Sequence, residues 1–288
     1  MKIRRGRRLV AAVIAVVAAV VLIPPPAQAH PVSAGSFDMQ FSSEAEPQSY
    51  IVGANATMLA ETSDDTDRNL VSIQIMGANG DHWFLELAAP FGQELSVGTY
   101  TGATWPSNRE PGMPGLAFFG NGGVCMDNTG SFVVSEITMA SPRYLQSIDA
   151  NFVQYCGGSD DPATGHIVIT NPPPPPPLTL DVTIDGTGTV TGDGLVTLNG
   201  TLTCTRATDV EVAGSVSQKI KGVTYLGSFA TQLTCIPGTT ALWETTSVSD
   251  GPFRKGTVAI ESIASGYDSF YFGDVRVVET GSVRLSRI

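Results

Sequence analysis

An all-β protein of two β-sandwich modules joined by a polyproline spacer is predicted by three observations. Apolar residues recur with period two in short runs. Gly- and Asn-rich turn signals separate the runs. Six consecutive prolines, Pro172 to Pro177, stand between two segments that each carry two of the four cysteines. Period-two recurrence marks strands with one buried and one wet face, and no capped helical stripe of useful length interrupts it. The resulting division is 1–29 as a leader, 30–171 as a first module, 172–177 as the linker and 178–288 as a second module.

The first 29 residues are a targeting segment rather than part of the fold. Lys2, Arg4, Arg5, Arg7 and Arg8 form a basic start, Leu9 to Ile23 is an apolar stretch of 15 residues, and Ala27-Gln28-Ala29 is a small-x-small cleavage site. That pattern is a secretory signal, and the stretch is short of the roughly 20 residues a membrane span needs. Export leaves His30 as the first residue, predicts a secreted, extracellular location, and leaves no stable membrane insertion after cleavage.

Export also changes the charge. Five of the 16 basic residues and none of the 27 acidic ones precede residue 30, so the remainder carries 11 basic against 27 acidic residues, net −16. Residues 30–171 hold 16 acidic residues against Arg68, Arg109 and Arg143, net −13, whereas residues 178–288 are close to balance at net −3. Such a field repels phosphate backbones and anionic membranes, which sets nucleic acid aside as a partner.

Four cysteines in an exported chain read as two disulfides. Of three possible pairings, Cys125–Cys156 and Cys204–Cys235 are expected, because each lies within one module and the linker separates them. Each pair is 31 residues apart. A loop of that size contributes roughly 3–4 kcal/mol, chiefly by restricting the unfolded chain. No Cys-x-x-Cys or His cluster suggests zinc.

In the first module the alternating sets are Phe37, Met39 and Phe41; Tyr50 and Val52; Val71, Ile73 and Ile75; Trp83, Leu85 and Leu87; Phe132 and Val134; Ile148, Ala150, Phe152 and Cys156; and Ile167 and Ile169. Asn79-Gly80, Phe91-Gly92, Gly112 to Gly115, Asn121-Gly122-Gly123 and Gly157-Gly158 supply the turns. Eight or nine strands at that spacing suggest a jelly-roll-like sandwich.

In the second module Val196, Leu198, Leu202 and Cys204 share a face, with Gly200 read as a bulge. Val210, Val212 and Val216 follow, then Phe229, Leu233 and Cys235, then Trp243, Val258 and Ile260, Phe270 and Phe272, and Val275 and Val277. Seven or eight strands with one disulfide and one Trp look immunoglobulin-like, with one departure: Trp243 follows both cysteines instead of lying between them.

The stretch Gly200-Thr201-Leu202-Thr203-Cys204, then Val212 to Gln218, Leu233-Thr234-Cys235, Trp243 and Phe253-Arg254-Lys255-Gly256-Thr257-Val258 resembles a secreted actinobacterial family of unknown function, number 6299, over roughly residues 178–265. The resemblance implies an immunoglobulin-like fold in an exported bacterial product and brings no catalytic residues. Gly98-Thr99-Tyr100, Gly122-Gly123-Val124-Cys125, Gly130 to Val134 and Phe152-Val153-Gln154 are similar to a second domain of secreted bacterial proteins, also without assigned activity.

Six prolines adopt polyproline II at about 3.1 Å per residue, a spacer of roughly 19 Å expected to keep the modules apart.

Binding residues are sought in loops. Trp105 lies in a Pro- and Gly-rich loop running to Gly115, where exposure would let it stack on a sugar ring or anchor a protein, with Tyr100 and Arg109 flanking it; the alternative is that Trp105 plugs the open end of the core. Asp65-x-Asp67-x-Asn69, with Asp64 beside it, matches the first ligands of a calcium loop. Leu70 and Met76 stand where an EF-hand needs Gly and Glu, so a structural Ca²⁺ would be of another kind, and a solvated acidic turn is the simpler reading. Gly158-Ser159-Asp160-Asp161 is a second acidic loop.

Catalysis has little to stand on. His82 and His166 read as strand histidines, no Gly-x-Ser-x-Gly elbow accompanies them, and no cofactor motif appears. The expectation is therefore a non-enzymatic extracellular or cell-surface recognition protein without cofactor. Its partner would be an unidentified protein or, alternatively, a polysaccharide bound by loop aromatics of the first module. A small hydrolase using that module's acids is the third reading.

Overall fold

The computed structural model describes residues 29–42, 46–63, 68–140, 143–249 and 251–288. Residues 1–28 of the expected leader lie outside them. Among the described residues no helix is long and apolar enough to cross a membrane. Buried apolar side chains form two clusters, one drawn from residues 32–169 and one from 178–285.

The first module contains β1 (His30–Pro31), β2 (Ala34–Phe41), β3 (Gln48–Ile51), β4 (Ala56–Thr62), β5 (Leu70–Gly77), β6 (His82–Ala88), β7 (Gly98–Ala103), β8 (Gly115–Gly120), β9 (Asn128–Ala140), β10 (Tyr144–Cys156) and β11 (Pro162–Thr170). They make a five-stranded sheet in the order β1-β4-β5-β6-β8 and a six-stranded sheet in the order β3-β2-β11-β10-β9-β7. Each sheet is built on a meander, β4–β5–β6 and β9–β10–β11, and β2 returns to pair with β11. Between the sheets the predicted inward sets meet: Phe37, Ile73, Ile75, Leu85, Leu87, Phe132, Ile148 and Ile167 are almost fully buried.

At the end of β10 the inward position after Phe152 belongs to Gln154, which is buried, whereas Cys156 is exposed at the strand's end. Cys156 bonds Cys125 and ties the 121–127 loop to β10; Cys204 bonds Cys235 inside the second core.

The second module contains β12 (Leu180–Ile184), β13 (Thr187–Val190), β14 (Val196–Cys204), β15 (Thr208–Ile220), β16 (Val223–Cys235), β17 (Ala241–Thr246), β18 (Val248–Ser249), β19 (Gly256–Asp268) and β20 (Gly273–Arg287). β14 lies between β12 and β17 in one layer, while β20-β19-β15-β16-β18 make the other. The opening strand divides between the layers: β12 pairs with β14, then β13 runs parallel to β20.

Two details of this module differ from the sequence reading. Gly200 is not at a bulge. Its register is continuous with Ile184 on one side and Trp243 on the other. The glycine is needed because a Cβ there would run into the Thr183 carbonyl oxygen and the Trp243 ring, which lies across the strand. Gly200→Ala is expected to cost about 2 kcal/mol by overpacking, although strand entropy alone favours alanine. An unchanged urea midpoint would contradict this.

Phe270 and Phe272, read as strand residues, occupy the turn between β19 and β20. The Asp268 carboxylate accepts from the backbone N–H groups of Phe270 and Tyr271 at 3.0 and 3.1 Å, which curls the chain just where a Phe-x-Phe alternation imitates a strand.

The linker does not hold the modules out of contact. Its carbonyls accept hydrogen bonds from both sides: Tyr144 Oη donates to Pro172 O at 2.8 Å, Tyr271 Oη to Pro175 O at 2.6 Å and Thr205 Oγ1 to Pro177 O at 2.9 Å. Beside it His30 and Tyr144 of the first module pack on Phe270 of the second. A polyproline segment has no N–H to satisfy but keeps every carbonyl free, and here those carbonyls are the attachment points.

Candidate recognition site

The outer face of the five-stranded sheet carries four aromatic side chains in a row. Period two sends Trp83, Leu85 and Leu87 of β6 inward and therefore His82, Phe84 and Glu86 outward. On the neighbouring strand Phe119 is directly opposite Phe84. The two rings stack with centroids 5.0 Å apart and planes 10° apart. His82 lies against Phe84 at 4.6 Å, and Trp105 lies against the other side of the pair, 5.4 Å from Phe119. All four residues are half-buried, and the His82 Nε2 is itself buried without a hydrogen-bond partner among the described residues.

Trp105 is placed by its loop. Thr104 bridges to the edge strand, with its N–H donated to Pro114 O and its carbonyl accepting from Leu116 N. A 3-10 turn, Pro106–Asn108, follows and buries Pro106. Arg109, expected to flank the ligand, is instead buried at 8% exposure. Its guanidinium sits 3.8 Å over the Phe91 ring and donates to Pro106 O. Its role is to hold the loop. Tyr100, the other expected flank, belongs to the six-stranded sheet; it stacks on Phe132 at 4.5 Å and its hydroxyl bonds Ser96 N and O. The structure thus keeps Trp105 and Arg109 in one loop and removes Tyr100 from it.

One end of the row opens into a groove of about 390 Å³ lined by His82, Phe84, Phe119, Asn121 and Val124. A polar network fixes this end. Asp81 accepts from Tyr50 Oη at 2.5 Å, from Asn79 Nδ2 at 2.6 Å and from Asn121 Nδ2 at 2.8 Å, and Asn121 Oδ1 accepts from His82 N at 2.8 Å. The bond from Tyr50 holds the Asp81 carboxyl below its usual range, helped by the two asparagines. Burial, with that same bond to Asp81, pushes the Tyr50 phenol up to about 12. The network ties the turn before β6 to the turn after β8, so the strip's end is preorganised.

Two glutamates share the outer face. Glu61 on β4, Ser72 on β5 and Glu86 on β6 lie in one register row. Burial raises both carboxyls; Arg143 opposes the shift at Glu61, and the Glu61 charge adds to it at Glu86. Glu86 follows Phe84 on the same face of β6 and lies opposite Ala117 of β8, with Glu61 two strands further on.

His166 is paired with Asp149 at 3.0 Å on the outer face of the six-stranded sheet. Of the calcium-loop residues, Asp64, Asp65 and Asp67 lie outside the described residues. Asn69 is buried at 4% exposure, with its backbone N–H on Ser63 Oγ and its carbonyl on Ala89 N. In the second acidic loop Asp161 N is donated to Ser159 Oγ. Among the described residues no group of three or more His, Cys, Asp or Glu is placed to hold a metal ion.

Sequence reasoning reached Trp105 through its loop composition and missed Phe84, Phe119 and His82 as its companions. The signal was present in Asp81-His82-Trp83-Phe84: once Trp83 is assigned inward, alternation sends His82 and Phe84 to the outer face together.

Residues 179–267 match the model of a family of unknown function, DUF6299. No curated protein matches the chain.

Proposed function

We propose that this chain is an exported, non-enzymatic recognition protein whose first module binds a polysaccharide along the row Trp105–Phe119–Phe84–His82. The observation that carries this reading is the row itself. Four rings linked by successive centroid distances of 5.4, 5.0 and 4.6 Å make one contiguous aromatic patch, in which Phe84 and Phe119 stack on each other and Trp105 and His82 stand at the two ends. Stacking on an aromatic face favours the apolar side of a sugar ring, and bordering polar groups such as Asn121 suit its hydroxyls. The net charge of −13 over residues 30–171 favours neutral or cationic chains over polyanions. The second module is read as an immunoglobulin-like platform, supported by an opening strand that divides between two layers and by the covered Trp243 and disulfide.

The test is retention of residues 30–288 on insoluble cellulose, chitin and bacterial cell wall. Trp105→Ala and Phe119→Ala should each weaken retention about tenfold or more, the scale of losing a stacked anchor of 1.4 kcal/mol or above, without shifting the melting temperature much. Arg109→Ala should instead lower stability. Failure of every matrix to retain the chain would sink the reading. Retention that soluble sugar does not displace would favour protein docking over the exposed Val124 and Met126 beside the groove, at 62% and 61% exposure.

A further inference from the structure

His30 sits where the two modules meet, and its surroundings are unusual for an ionisable ring. It is held in β1, opposite Ala60 of β4. The imidazole packs edge-on against Tyr144 at 5.1 Å and against Phe270 and Phe272 of the second module at 4.6 and 5.1 Å. The residue is 5% exposed, and its Nε2 is buried without a hydrogen-bond partner among the described residues. Among the described residues no carboxylate forms a hydrogen bond or ion pair with the His30 ring. Asp268 is committed to Arg206 at 2.6 Å and to the N–H groups of Leu178, Phe270 and Tyr271. Glu61 follows Ala60 on β4 and so takes the opposite face. The Tyr144 and Tyr271 hydroxyls are donated to linker carbonyls. The Arg206 guanidinium already lies 5.3 Å over the Phe270 ring, so that ring is shared with a cation before His30 is charged.

We propose that His30 is a pH-sensitive latch between the modules: neutral, it closes the joint against Phe270 and Phe272; protonated, it lets the modules separate. Protonation would put charge on an imidazole that packs against three aromatic rings and whose buried Nε2 has no partner among the described residues, whereas separation returns it to water. Burial accordingly lowers its pKa from the ordinary 6.5. The sign follows: a base whose closed-state pKa is depressed supports closure fully above pH 6.5, and the support is lost as pH falls below that value. Opening would free the linker and the face of Tyr144, and it does not depend on what the aromatic row of the first module binds.

The experiment is small-angle scattering from residues 30–288 at about pH 7.5 and about pH 5.0, for the wild type and for His30→Phe, which keeps a ring but carries no charge. The wild type should expand on acidification by about 3 Å in radius of gyration, the scale set by freeing a spacer of roughly 19 Å, and His30→Phe should stay compact at both values. The α-amino group that processing leaves on residue 30 is common to both proteins, so their difference isolates the imidazole. Three outcomes overturn the proposal: a wild type of constant size, a wild type already expanded at the higher pH, or equal expansion of His30→Phe. Should that variant fold poorly, the imidazole titration of the wild type by NMR decides alone. A midpoint below 6.5 for His30 supports the latch and one at or above 6.5 overturns it.

Discussion

Asp268→Ala should destabilise the second module by about 3–5 kcal/mol, the cost of stripping the partner from a buried charged network. Asp268 is only 3% exposed and accepts four hydrogen bonds: from Leu178 N at 2.7 Å, Arg206 Nη1 at 2.6 Å, Phe270 N at 3.0 Å and Tyr271 N at 3.1 Å. Its loss leaves three N–H groups and a guanidinium without their acceptor. The residue joins the first residue after the linker to the turn carrying Phe270 and Phe272, so the joint between modules should loosen with it. Burial alone would raise this carboxyl. The N–H groups of Leu178, Tyr271 and Phe270 and the charge of Arg206 more than reverse that, and the net shift is downward. A depressed carboxylate contributes stability that is present above its unfolded value, about 3.9, and is lost as pH falls through the folded one. Urea midpoints for the wild type and Asp268→Asn should therefore converge as pH drops below about 4. A wild-type excess that persists undiminished in acid would contradict the assignment.

Gln154→Leu should cost about 3 kcal/mol, two buried backbone groups left unpaired at roughly 1–3 kcal/mol each. β8 is the last strand of its sheet, and beyond the Thr104 contacts to Pro114 and Leu116 its outer backbone edge meets no further strand among the described residues. Gln154 stands in for one. Its Oε1 accepts from Phe118 N at 2.8 Å, its Nε2 donates to Phe118 O at 2.8 Å, and Asn128 Nδ2 donates to Leu116 O at 2.6 Å. Both side chains are buried, at 4% and 3% exposure. Capping an edge this way satisfies the ladder and denies it to another chain. Leucine fills nearly the same volume, so the loss reads hydrogen bonding and not a cavity. The expected signature is a melting temperature lower by about 10 °C with an unchanged urea slope, and a fall of a degree or two would show that the edge finds water instead. Because β8 also carries Phe119, ligand retention in the folded variant should drop as well.

Much of the fold was legible because its cause is local. Val71, Ile73 and Ile75, or Val196, Leu198 and Leu202, are buried for the reason visible in their spacing: alternate residues of a strand share a face. The cysteine pairing was legible by a different route, since the linker confined each thiol to a partner on its own side. What misled was also local. Phe270-x-Phe272 alternates like a strand, but Asp268 bends it into a turn. Gly200 looks like a defect in a strand, but it makes room for a ring arriving from β17. Gln154 looks like an interruption of an inward set, but it faces an unpaired edge supplied by a strand 36 residues away.

Legible from residue order alone, unlike the buried sets of β4, β8 and β12, were the all-β class, the inward sets of β2, β5, β6, β11, β14 and β15, the two disulfides and the loop that carries Trp105. These depend on periods of two residues or on which partners a linker leaves within reach. It took the packed sheets to bring Trp105, Phe119, Phe84 and His82 into one patch, to tuck Arg109 into its own loop, and to set His30 against Phe270 and Phe272 beside the linker. Each of those depends on strand order and register, which bring together residues tens to hundreds of positions apart. Their energies are set by burial and neighbouring charge, and neither exists until the sheets have packed.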